Sequence, residues 1–188
     1  ITEQENSISC DAALVLDCLG LKELPCLPDV VKSLSARGNR LRGLPDLPQT
    51  LITLDVSENI INALPDLPAA LQCLDCSKNN LRTLPLLPSN LVNIQAEHNQ
   101  LSDLPALPNA LDYLNVSNNS LQALPQLPGT IKDVWIDANQ ITHLPSRIPT
   151  SLRYLSAMNN HLISIPESLI FLSKDSRVFL DNNLFSEQ

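Results

Sequence analysis

The stretch LDYLNVSNNSLQALPQLP, residues 111–128, decides how this chain folds. Its first half places Leu111, Leu114 and Val116 ahead of Asn119, and its second half runs through Leu121, Leu124, Pro125, Leu127 and Pro128. Leu114 and Val116 alternate with period two, which marks a short strand with one buried face. The prolines lack backbone donors and favour an extended, polyproline-like path over a helix. Asn119 carries both an amide donor and an acceptor, so it can satisfy backbone groups where the chain leaves the strand.

The pattern recurs along the whole chain. Asn39, Asn59, Asn79, Asn99, Asn119 and Asn139 lie 20 residues apart, followed by Asn160 after 21 and Asn183 after 23. All 15 prolines fall in the same frame, as seven pairs from Pro25/Pro28 to Pro145/Pro149 plus Pro166. Self-similarity at a fixed period specifies a solenoid of stacked coils. Eight units contain the Asn, and a degenerate leading unit has Leu19 in its place. The expected architecture is therefore eight to nine coils, with short parallel strands on the concave side and extended, polyproline-like returns on the convex side. One coil buries too few aliphatic side chains to offset the ordering of its backbone, so stacking is obligatory. The asparagines of stacked coils should form a ladder.

The ends depart from the frame. Residues 1–13 read as a lead-in, with more structure expected ahead of it in the natural protein. Residues 14–164 hold the repeats, and Leu14, Leu16, Leu21 and Leu24 keep the core frame of the leading unit. Residues 165–188 read as a cap repeat, in which Pro166 opens a helical turn and Leu169, Phe171 and Leu172 cover the core.

Composition excludes several functions. The 188 residues carry a net charge of −8, which argues against nucleic acid and anionic membranes as partners. There is no apolar run of the roughly 18 residues a spanning helix needs. The five cysteines at positions 10, 18, 26, 73 and 76 are odd in number and scattered, which fits a reducing compartment better than a disulfide framework. Cys73 and Cys76 form a CxxC, but strand periodicity puts them on opposite faces, so they can share neither a metal nor a disulfide. Cys76 holds a slot filled elsewhere by Val56, Val116 and Ile136, while Cys73 and Cys26 should be exposed. His98, His143 and His161 sit in different slots of different units, which argues against a metal cluster. The glycosylation sequons at Asn115 and Asn118 read as chance matches in an Asn-rich repeat. No phosphate-binding loop or nucleophile–base pair is present, so no catalytic residue, metal or cofactor is expected in this chain.

The unit L-P-x-L-P-x-x-L-x-x-L-x-V-x-x-N-x-L resembles the leucine-rich repeats of bacterial effectors, namely the IpaH/SspH-type ligases and YopM. The resemblance covers residues 14–188, and the closing IPESLIFLSKDSRVFLDNNLFSE is similar to the cap that precedes the catalytic domain of the IpaH/SspH type. It implies a substrate-recognition domain of an E3 ubiquitin ligase, delivered by type III secretion to the host cytoplasm. In that family a helical domain, the novel E3 ligase (NEL) domain, follows the repeats. It carries a Cys-x-Asp nucleophile that the repeats can restrain by intramolecular contact. Cys73-Leu-Asp75 matches that motif by accident, since it lies on a strand. Only five residues follow Asn183, so the catalytic domain is expected to lie outside this chain. A non-catalytic YopM-like scaffold is the alternative. In either case the partner is a host protein and the chain is a monomer.

With core and turns prescribed by the repeat, function falls to the variable slots. These are the residues six, four and two before each Asn, together with the one just before it. They gather the only Trp, both Tyr, the only Met and one of three Phe, all in the C-terminal four units. The partner-binding candidates on this concave face are Arg37, Asp55, Asp75, Glu97, Tyr113, Asn115, Trp135, Asp137, Tyr154, Met158, Arg177 and Phe179. Tyr113, Trp135, Tyr154 and Phe179 should lie close enough on successive strands for diagonal contact. Seven acidic residues against three basic ones leave the face negative.

Overall fold

The computed structural model describes residues 12–185. The expected lead-in lies outside this range except for its last two residues. Nine short strands form one parallel sheet in sequence order, each pairing with the next. They are β1 (Ala12–Val15), β2 (Val31–Ser35), β3 (Thr53–Asp55), β4 (Cys73–Asp75), β5 (Asn93–Gln95), β6 (Tyr113–Asn115), β7 (Asp133–Trp135), β8 (Tyr154–Ser156) and β9 (Arg177–Phe179). The chain is a leucine-rich repeat solenoid with one strand per coil.

The register is uniform because the repeat is uniform. Leu34, Leu54, Leu74, Ile94, Leu114, Val134, Leu155 and Val178 pair in one row. From Leu34 to Leu155 this row is at most 2% exposed, and Cys76, Val56, Val116 and Ile136 behind it are fully buried. The core is one continuous aliphatic cluster, against which Leu14, Leu16 and Leu21 also pack. The convex returns of the 20-residue coils contain neither helix nor strand.

The asparagine ladder is present in all eight units. Asn59 Nδ2 donates to the carbonyls of Ala36, Val56 and Ser57 at 3.0–3.1 Å, and its Oδ1 accepts from the Leu41 amide at 2.9 Å. Each Asn thus ties its own turn to the coil before it. Asn39 reaches back to the degenerate unit, where its Oδ1 accepts from the amides of both Leu19 and Leu21.

One regularity escaped the sequence pattern. The residue just before each Asn is left-handed, with positive φ at Gly38, Glu58, Lys78, His98, Asn118, Ala138, Asn159 and Asn182. Cys18 in the leading unit follows suit. Left-handed backbone is unfavourable for most side chains, and here the flanking hydrogen-bond ladder holds it in place. Gly38, Asn118, Asn159 and Asn182 are residue types that tolerate the conformation, whereas Glu58, Lys78 and Ala138 give no sign of it.

The C-terminal unit is longer, and its extra residues make room for a single 3₁₀ turn, Glu167–Phe171, capped at its start by Pro166. Leu169 and Leu172 pack against the core as expected. Phe171 does not: it is 68% exposed. A five-residue turn points its side chains in several directions, and the inward ones are already supplied by the two leucines.

Candidate functional site

The concave face presents two parallel rows of side chains that cross all the coils. One row runs Thr53, Cys73, Asn93, Tyr113, Asp133, Tyr154, Arg177, and the other Asp55, Asp75, Gln95, Asn115, Trp135, Ser156, Phe179. Strand alternation points both rows away from the core. Small side chains leave a shallow trough of about 360 Å³ over the N-terminal half, floored by residues from Ser33 to Gln95. Large side chains raise the C-terminal half into a ridge.

The ridge is an aromatic stack. The rings of Trp135 and Tyr154 lie 4.3 Å apart between centroids at 26°, and those of Tyr154 and Phe179 lie 5.3 Å apart at 40°. Trp135 and Phe179 share one row with Ser156 between them, while Tyr154 stands in the other row. The diagonal contact therefore depends on the small serine, which is fully buried beneath the ridge. Tyr113 does not join the stack. Like Tyr154 it pairs with Asp133, but its ring makes no stacking contact with Trp135, and its phenol pKa is raised by burial and then by the charge of Glu97.

Several acidic candidates are committed within the protein. Asp55 Oδ1 accepts from the amide and hydroxyl of Ser57, and Asp75 Oδ1 does the same for Ser77. Asp137 Oδ1 accepts from Ser156 Oγ and the Met158 amide, both at 2.7 Å. The expectation that the slot two before Asn always faces solvent therefore fails at Ser57, Ser77 and Ser117, which are at most 8% exposed. The Asp-x-Ser spacing in successive units was the available signal for these clamps.

The basic candidates divide. Arg37 Nη2 and Lys78 Nζ lie 3.1 and 2.7 Å from the same Glu58 oxygen. Hydrogen bonds from Lys78, then Arg37, hold the Glu58 carboxyl below its ordinary range. Arg177 is exposed on the far side of Tyr154. Glu97 makes no such close ion pair: its Oε2 is buried without a hydrogen bond, and burial pushes its pKa up, with the charges of His98 and Lys78 acting weakly against that shift.

Cys73 is exposed and Cys76 buried, with the Cys76 thiol pKa driven upward by burial. Cys26 is exposed, as are His98, His143 and His161. Among the described residues no group of three or more His, Cys, Asp or Glu could hold a metal ion, and no helix is long and apolar enough to cross a membrane.

Fold and face together define a leucine-rich repeat module built for protein interaction. The chain belongs to the leucine-rich repeat domains of bacterial effectors. It is 32% identical to a Shigella effector leucine-rich repeat domain over 93% of this chain and 70% of that one, with a TM-score of 0.72. It is 38% identical to YopM from Yersinia enterocolitica over 88% of this chain, and 39% identical to YopM of Yersinia pestis, a leucine-rich effector protein, over 90%. Both superpose with a TM-score of 0.83, and the chain spans 36% and 48% of their respective lengths. No protein-family model matches the sequence, and no curated protein matches it.

Proposed function

We propose that this chain is the substrate-recognition domain of a secreted E3 ubiquitin ligase effector, binding a host protein on its concave face. The observation that carries the binding role is the Trp135–Tyr154–Phe179 stack. Half-exposed aromatic clusters rimmed by polar groups are typical interaction anchors. A core-packing role would have placed these rings among the aliphatic residues, yet they stand on the solvent side of the sheet. The ligase role rests on the IpaH/SspH-type sequence of the closing repeat. Delivery by type III secretion into the host cytoplasm belongs to the same reading.

A non-catalytic, YopM-like scaffold is the second reading, favoured by the higher identity to the YopM structures. The binding role is common to both. It is tested by capture from host cytosol on immobilised chain, with Trp135→Ala as the control. Equal capture by wild type and variant would remove the ridge from the interface. The two readings separate on the coding sequence after Gln188, where a helical domain with Cys-x-Asp selects the ligase.

A further inference from the structure

The concave face carries an excess of acidic residues, and its basic ones are gathered at one point. Arg37 and Lys78 both close on Glu58, two cations on one carboxylate at the edge of the face. Asp55 and Asp75 line the trough, their Oδ1 atoms accepting from Ser57 and Ser77. Glu97 sits where the trough meets the ridge, on the coil before Tyr113.

Glu97 differs from its neighbours in one respect. In the two preceding coils this slot holds Ser57 and Ser77, each satisfied by an aspartate of its own strand. In this coil the aspartate is replaced by Gln95 and the serine by Glu97, so the clamp is gone and a carboxylate stands in its place. Its Oε2 is buried without a partner. An unpaired buried carboxylate oxygen is costly, and an incoming cation offsets that cost. Tyr113 on the next coil lies near enough to feel the Glu97 charge, and an aromatic ring attracts a cation over its face.

We infer that the face takes a basic segment of its protein partner. An arginine or lysine side chain pairs with Glu97 beside Tyr113, and a neighbouring apolar side chain seats on the Trp135–Tyr154 stack. This rests on the concave face being the partner surface. Charge complementarity selects the occupant: a second copy of this chain, at net charge −8, would bring its own sign to the face.

The test uses three fluorescein-labelled decapeptides in which leucine alternates with arginine, with citrulline or with glutamate. Citrulline keeps the shape of arginine and removes the charge. By fluorescence anisotropy the arginine peptide should bind at least about tenfold more tightly than the citrulline peptide. Glu97→Gln should remove most of that preference, Asp66→Asn on an exposed convex return should leave it intact, and Trp135→Ala should weaken both peptides alike. Equal binding of the arginine and citrulline peptides, or equal effects of Glu97→Gln and Asp66→Asn, would overturn the inference. If host-protein capture is lost with Trp135→Ala while the charge preference is absent, the partner surface stands and its basic occupant falls. If Trp135→Ala captures host protein as well as wild type does, the surface itself falls.

Discussion

Trp135 and Tyr154 come from adjacent strands but from different rows, and their rings stack at 4.3 Å across the diagonal. The contact joins the last two regular coils on their solvent side. Trp135→Ala should therefore cost stability of about 1 kcal/mol, the range for an aromatic pair beyond its area. Urea unfolding should show this small loss with an unchanged slope. A loss of 4 kcal/mol or more would mean that the ring is a core element, not a surface anchor.

Asn79 makes three donor contacts and one acceptor contact, tying Val56, Cys76, Ser77 and Ile61. Asn79→Ala orphans buried backbone groups in two coils, each at about 1–3 kcal/mol. The denaturant midpoint should drop well below that of any single variant on the concave surface. An unchanged midpoint would refute the ladder as a source of stability.

Gly38 and Ala138 occupy the same left-handed slot with φ of 67° and 52°. A Cβ at Gly38 would meet Cys18 Sγ at 2.9 Å, so Gly38→Ala should destabilise by about 1–2 kcal/mol. Ala138→Gly should act in the opposite direction, by about 0.5–1 kcal/mol once the added freedom of the unfolded chain is subtracted. Thermal unfolding of the two variants decides the signs.

Glu97 titrates with its folded pKa raised by burial. The folded state therefore holds the proton more tightly than the unfolded one. Stability should rise as pH falls through the folded pKa, and the gain is complete below the ordinary glutamate value of about 4.3. Glu97→Gln should be more stable than wild type at neutral pH, and that advantage should shrink as the pH drops. Urea midpoints of both proteins at neutral and acid pH measure it; a constant difference would mean that the carboxylate is not desolvated.

Cys73 and Cys76 are three residues apart, yet one is exposed and the other fully buried with its thiol pKa raised. A thiol reagent should modify Cys73 in the native protein and reach Cys76 only on unfolding. Equal rates would contradict the strand assignment.

The sequence alone determined the solenoid, the strand of every coil, the buried aliphatic slots and the asparagine ladder. A fixed period gives each slot the same environment eight times, so local periodicity and side-chain chemistry suffice. It also placed four of the six aromatic residues in concave-face slots, because strand alternation leaves them no other side. Only the tertiary structure decided which of those residues remain available to a partner. Asp55, Asp75 and Asp137 each committed one oxygen to a serine, Arg37 and Lys78 converged on Glu58, Tyr113 stood apart from the stack, and Phe171 faced solvent instead of the core. These outcomes depend on side-chain reach and on what a neighbouring coil, some 20 residues away, places within hydrogen-bond distance. A repeat specifies where a side chain starts, whereas packing across coils specifies where it ends.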